Sequence, residues 1–279
     1  MKLGVMNPVF GGYTFEAALK FLYVHGVHEM EIGAGGYPGK NHLDPEEMLG
    51  NPEKIQEFKD LMAKYEVSIS AIACHGNALH PNKEIAARFD KEFKNAILMC
   101  EALGVKTIIG FAGCPGACEE SKNPNWVTCP WPEDYSEILN WQWEEKVIPY
   151  WKETAAFAKA HGVEKIAFEM HPGFVVYNPE TCLKLRAAVG DIIGANFDPS
   201  HLFWQGMDPV EAIKALQGAI YHFHAKDTKI DKHNTAVNGV LDTKSYSDIL
   251  GRSWVFRTVG YGHGKEVWNE IISTLQAVG

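Results

Sequence analysis

Lys165-Ile-Ala-Phe-Glu-Met-His171, Ile193-Gly-Ala-Asn-Phe-Asp-Pro-Ser-His201 and Ala219-Ile-Tyr-His-Phe-His-Ala-Lys226 decide how this chain is read. Each is short, apolar and bounded by turn residues, the pattern of a strand buried on both faces. Helical patterns at 179–189 and 209–216 separate them. Such alternation builds a parallel sheet. The three segments carry Glu169, Asp198 and His224 at their ends, side chains that bind hard or borderline divalent metals. Successive parallel strands deliver their ends to one edge of the sheet. In a closed parallel barrel that edge is the mouth where the chemistry is done.

Upstream, the same alternation predicts strands at 3–6, 28–32, 68–74 and 105–111, and helices at 15–24, 52–65, 85–103 and 141–160. Thr14 is placed to cap the first helix. Pro149 should kink the last one or mark a junction between two. His25 reads as serving a helix C-terminus, His80 as loop support, and Glu31 as a strand residue paired with a neighbour. A long Gly/Pro-rich loop at 33–51 reads as a binding loop or lid, and 113–138 is a second, irregular excursion whose exposed aromatics either wall a pocket or pack against a partner subunit. The second carries Trp126 and Trp131. Downstream, 227–254 reads as a hydrophilic loop and 267–277 as a final helix.

Strands counted this way number seven, whereas a closed (β/α)8 TIM barrel needs eight. The expectation is a single α/β domain over 1–279 that lacks its eighth strand and last helix and is C-terminally incomplete, with the gap filled by a downstream extension or by a partner.

The 279 residues are 46% hydrophobic and 22% charged, with a formal net charge of −9. That acidity disfavours a nucleic-acid backbone as partner. No apolar run is long enough to span a bilayer, and the N-terminus lacks a signal-peptide core. The six cysteines are scattered, which predicts reduced thiols in a cytoplasmic protein. Cys114-Pro-Gly-Ala-Cys118 is spaced for neither a zinc knuckle nor the usual redox motif.

A glutamate, an aspartate and a neutral imidazole suit Mn²⁺, Mg²⁺, Co²⁺ or Zn²⁺. Such an ion polarises a carbonyl and stabilises an enediolate, and a carboxylate beside it removes the proton next to that carbonyl. His201, on the turn leaving Asp198, is assigned to a substrate hydroxyl in preference to a second metal. His171 and His75 are similar candidates just past strand ends. His222 shares a face with His224, because the alternating Phe223 points away, and reads as a deeper structural residue. Lys226 and Arg257 are cations placed to hold substrate oxygens.

Glu-Met-His-Pro-Gly at 169–173, Asn-Phe-Asp-Pro-Ser-His at 196–201 and His-Phe-His-Ala-Lys-Asp at 222–227 together resemble the xylose isomerase-like TIM-barrel superfamily. The resemblance is greatest to its sugar phosphate isomerase/epimerase branch, which Cys-His-Gly-Asn at 74–77 and Val-Gly-Tyr-Gly-His-Gly at 259–264 also resemble. It implies a divalent metal, manganese first, on Glu169, Asp198, His224 and a further glutamate of an eighth strand. In the epimerases of the family, the two glutamates also exchange the substrate proton. It implies His201 at the substrate. The eighth-strand glutamate has no counterpart here, so an impaired catalyst or part of a longer chain is expected. The activity expected is a sugar isomerase or epimerase on a small-molecule sugar. A lyase or dehydratase using the same enolate chemistry is the alternative, ahead of a non-catalytic sugar-binding barrel or a DNA-repair endonuclease. A homo-oligomer is left open.

Overall fold

A computed structural model describes residues 1–279. Strands β1 (Gly4–Met6), β2 (Glu29–Gly36), β3 (Ser68–His75), β4 (Thr107–Gly110), β5 (Lys165–Glu169), β6 (Ile193–Phe197) and β7 (Ile220–Phe223) form one parallel sheet in chain order. β1 and β7 are its edges and do not pair with each other. The sheet is therefore a TIM-barrel wall without an eighth strand.

The connecting helices are α1 (Phe15–Val24), α2 (Pro45–Met48), α3 (Pro52–Lys64), α4 (Lys83–Leu103), α5 (Glu133–Trp141), α6 (Ile148–Ala160), α7 (Pro179–Val189), α8 (Ser200–Phe203), α9 (Pro209–Ala215), α10 (Lys232–Asn238) and α11 (Lys265–Val278). Local chemistry sets several of their starts. Thr14 Oγ1 accepts from the Ala17 amide, and Asn178 and Thr181 form a reciprocal capping box before α7. The junction expected at Pro149 is a π-helical turn, Gln142–Val147, between α5 and α6. Pro149 itself lies in the first turn of α6, the part of a helix that tolerates a residue without an amide donor. Gln142, buried in the π-helical turn, donates to Gly116 O at 2.9 Å and Asn125 O at 2.7 Å, tying down the excursion after β4.

Two apolar layers result. A cluster of 48 buried residues fills the space between sheet and helices. Inside the barrel, the packed set is Ala71, Ala73, Ile109 and Ala167, with Met6 and Tyr221 against it. These small side chains leave room above them at the carboxyl ends of the strands, where the polar residues gather.

The segment read as a loop over 227–254 is in part ordered structure. β8 (Asp227–Ile230) pairs antiparallel with β9 (Trp254–Arg257), and α10 lies between them. Its polarity misled because the hairpin buries only part of itself. Asp227, Thr228 and Trp254 are buried, while Lys229 is exposed. All six cysteines are free thiols, and no helix is long and apolar enough to cross a membrane.

Candidate metal and catalytic site

Strand register builds the site. Glu169 on β5 lies opposite Asn196 on β6, and Asn196 lies opposite His222 on β7. A register shift between Ala195 and Asn196 skips Tyr221 and brings His222 into line. Phe223 then packs into the outer core, so His222 and His224 point inward. Asp198 is two residues beyond Asn196, on the same face and one step closer to the mouth.

Glu169 is the hub. Its Oε1 accepts from His201 Nε2 at 2.9 Å, and its Oε2 lies 3.0 Å from His75 Nε2 and 3.3 Å from His224 Nδ1. His201 Nε2 is also 3.4 Å from Asp198 Oδ2, and Lys226 Nζ is 3.7 Å from the same oxygen. Asp198 Oδ1 accepts from the Ser200 amide at 2.8 Å. Across the barrel, Glu31 Oε2 lies 3.0 Å from His222 Nε2 and 2.7 Å from His224 Nε2.

The donor atoms thus gather as two triads, Glu169–Asp198–His201 and Glu31–His222–His224. The imidazole of His224 touches both. Of the expected ligands, Glu169 and Asp198 share a triad with His201, expected at substrate, while His224 falls in the other triad and meets the first through Glu169. Glu31, read as an ordinary strand residue, belongs to that other triad. An acid flanked by the buried, apolar Met30 and Ile32 was its available signal.

Burial opposes ionisation of Glu169, yet hydrogen bonds from His201, His224 and His75 outweigh it and hold its carboxyl well below the usual range. Burial likewise works against Glu31, but the charges and hydrogen bonds of His224 and His222 bring it down to about 2. His224 is raised well above an ordinary histidine, because Glu31 and Glu169 outweigh its own desolvation. His171 goes the other way. Burial, then the nearby His201, lowers it to about 3. Its ring lies 4.1 Å from that of His201, and its Nδ1 donates to Pro172 O at 2.6 Å.

Asp198 Oδ2, Glu31 Oε1, Asn196 Oδ1 and His75 Nδ1 are buried without a hydrogen-bond partner. Each such atom costs about 1–3 kcal/mol. Unpaired oxygens beside imidazoles are what a divalent cation would satisfy, so the residues present fit a metal.

Aromatic rings wall the mouth. Phe111 stacks on Phe174 at 4.2 Å between centroids and meets His75 and His171 edge-on or tilted. Lys226 Nζ sits 3.8 Å from the centroid of Phe256, whose ring also faces His201. Arg257, expected to hold substrate oxygens, instead donates to Phe256 O within β9 at 3.1 Å and has no polar contact with the carboxylates.

Asp227 was not singled out from the sequence, and it organises the rim. Its Oδ2 accepts from the amides of Gly260, Gly262 and His263, each at 3.0 Å, and from Trp268 Nε1 at 3.1 Å. Its Oδ1 accepts from Thr228 N and lies 2.8 Å from His263 Nδ1. Gly262 is required there, because a Cβ would come 2.3 Å from Thr228 O. His263 stacks on Phe203 of α8 at 3.7 Å, and Thr228 Oγ1 donates to Ser200 O at 2.6 Å. The hairpin thereby braces the short helix that carries His201.

Comparison with known proteins places this arrangement. The chain is 40% identical over 281 residues to the uncharacterized protein YfiH of Bacillus subtilis (strain 168), across 100% of this chain and 90% of that protein. Its fold is similar to the IolI protein solved with a bound zinc atom, at TM-score 0.66 and 19% identity, covering 100% of this chain and 86% of that one. It is also similar to a D-tagatose 3-epimerase-like protein, at TM-score 0.64 and 20% identity, covering 100% and 87%. The family model described as "Xylose isomerase-like TIM barrel" matches residues 25–279, and on that match, in keeping with the seven-stranded parallel wall, the chain belongs to that family.

Proposed function

We propose that the protein is a divalent-metal-dependent sugar isomerase or epimerase that moves a proton at the carbon next to a carbonyl, through an enediolate. The observation that carries this reading is the buried convergence of Glu169, Asp198 and His201 beside an unpartnered Asp198 oxygen at the carboxyl ends of β5 and β6, with His224 reaching the group through Glu169. The metal bound in one fold neighbour and the epimerase likeness of another support it.

Glu169, Asp198 and His224 would hold the ion, with His201 at hand beside both carboxylates. When bound, the ion would supply Lewis-acid polarisation of the carbonyl. Manganese is the first choice, and magnesium, cobalt or zinc suit the same donors.

Glu169 is the proton carrier in this scheme, and its surroundings set a condition. Both of its oxygens are engaged by imidazoles, and a carboxyl held this low is a weak base. It accepts a proton efficiently only once His201 and His75 turn from it to the substrate hydroxyls. That exchange would couple substrate binding to base strength. Lys226, half-exposed over Phe256, would meet a substrate oxygen from the rim, and His171, held neutral by burial, would pack against the bound sugar. The rings of Phe111 and Phe174 would exclude water from the apolar face of the sugar.

The test is proton exchange. Incubation with a panel of ketoses and keto-glycosides in deuterated water with Mn²⁺ should put deuterium beside the carbonyl of one of them, and Glu169→Gln should abolish the signal. Loss of water or of a glycosyl group, without exchange into an intact sugar, would move the assignment to a lyase of the same chemistry. No exchange and no turnover with any substrate, in protein that retains no divalent ion, would overturn the reading.

A further inference from the structure

We propose that Glu31 is a positioning residue that holds the imidazole of His224 by its Nε2–H and so presents Nδ1 to the metal. The inference rests on the metal-dependent reading above. Its starting point is geometric. Glu31 and His224 lie 193 positions apart in the chain, on β2 and just past β7, and the two edge strands β1 and β7 are not bonded to each other. Yet Glu31 Oε2 lies 2.7 Å from His224 Nε2, and Glu31 is 3% exposed.

An imidazole has two ring nitrogens facing different ways. In His224 one faces Glu31, and the other, Nδ1, faces Glu169 Oε2 at 3.3 Å. A ring that ligates an ion is neutral at the ligating nitrogen and keeps one N–H on the other, so binding releases the Nδ1 proton. With the remaining N–H engaged by Glu31, the lone pair of Nδ1 is the one left for an ion beside Glu169. A carboxylate behind a metal-bound histidine fixes the tautomer, stops the ring from flipping and raises its basicity as a ligand. His222 completes the device. Its Nε2 lies 3.0 Å from the same Glu31 oxygen, with its ring nearly perpendicular to that of His224, so it fixes Glu31 from below. The arrangement also joins β2 to β7 across the barrel, where no ladder of backbone hydrogen bonds does so.

Mn²⁺ titration followed by the paramagnetic resonance of the free ion tests this on the full chain. Wild type should take up one ion. Glu31→Gln should bind about 10–100-fold more weakly, with an unchanged circular dichroism spectrum, and Glu31→Asp should recover part of the loss because it keeps an anionic acceptor. Two-bond proton–nitrogen spectra of the Zn²⁺-loaded wild type supply the second readout, with His224 assigned by its disappearance in His224→Gln. They should show Nε2 protonated and Nδ1 shifted by the ion. Because this measurement uses wild type, it decides the matter even where Glu31→Gln does not fold. Wild-type binding left unchanged by Glu31→Gln, an ion on Nε2, or two ions per chain with the second on Glu31, His222 and His224, would each overturn this inference alone. A wild-type chain that takes up no ion would sink the metal reading and this inference with it.

Discussion

Replacing Asp227 by asparagine perturbs the anchor of the rim while keeping its shape. Four N–H donors converge on Oδ2, from Gly260, Gly262, His263 and Trp268, and Thr228 N and His263 Nδ1 meet Oδ1. An amide placed here would keep its oxygen toward the four donors and turn its NH2 toward Thr228 and His263. His263 can change tautomer and accept, but the Thr228 amide loses its acceptor. The four remaining bonds lose their charge assistance. Hydrogen bonds to charged groups contribute about 1.5–3 kcal/mol each against about 1 kcal/mol for neutral ones, and strained geometry shares the loss, so the whole change should cost about 2–4 kcal/mol. For a chain of this length that is a fall of roughly 4–8 °C in melting temperature.

The pH dependence gives a second check. Burial raises the Asp227 carboxyl, but the amide and side chain of His263, with Gly262 and Trp268, bring it down to about 2 from an ordinary 3.8. A folded-state value below the unfolded one gives stability that is fully present above the unfolded value and is lost as pH falls through the folded one. The wild-type advantage should therefore hold above about pH 4 and close as the solution approaches pH 2. The shift itself corresponds to about 1–2 kcal/mol after allowance for solvent around the loop. Thermal melts at a series of pH values would measure it, and hydrogen exchange at the Gly260, Gly262 and His263 amides would localise it. Melting within 1 °C of wild type, with those three amides equally protected, would refute the reasoning.

Gly262→Ala should act on the same anchor. Its Cβ would meet Thr228 O at 2.3 Å and Asp227 Oδ1 at 2.6 Å, so melting should fall by an amount comparable with overpacking, about 1–3 kcal/mol, and unchanged melting would mean the loop has room to move. Trp151→Ala removes a side chain that is 2% exposed, packs edge-on against Phe168 and Phe93 and donates to Ala112 O at 2.8 Å; chemical denaturation should show a loss of about 3–5 kcal/mol. Asp198→Asn can keep the bond to the Ser200 amide through its own oxygen while removing a buried oxygen that has no partner. Metal-free melting should thus stay the same or rise, while calorimetric metal affinity falls by more than the roughly 10–100-fold typical of losing an outer partner. A falling melting temperature with unchanged affinity would show that Asp198 is structural.

Much of the wall was legible in sequence because its signals are local. The start of α1 follows from Thr14, a side chain that caps the helix it precedes. Strands β5, β6 and β7 are short apolar runs between turn residues, and they carry Glu169, Asp198 and His224 to one end whatever the rest of the chain does. Seven strands were countable for the same reason. The resemblance of the motifs at 169–173, 196–201 and 222–227 to the family, which the profile match bears out, also needed nothing beyond order along the chain.

Tertiary structure alone decided who meets whom inside the barrel. Curvature brings Glu31 of β2 to His222 and His224, residues that no local periodicity associates with it. The register shift at Ala195–Asn196 sets which residues of β7 face inward. The lie of α8 turns His201 onto Glu169 and Asp198, so a histidine assigned from its spacing to substrate stands among the donor atoms. Asp227 passed unnoticed because a carboxylate becomes an anchor only when distant amides are folded around it, and the hairpin over 227–257 was hidden because half of it faces water. Caps, alternation and apolar runs are written between neighbours in sequence, whereas the cluster of acids and imidazoles depends on strand order, register and closure, which exist only once the sheet has curled.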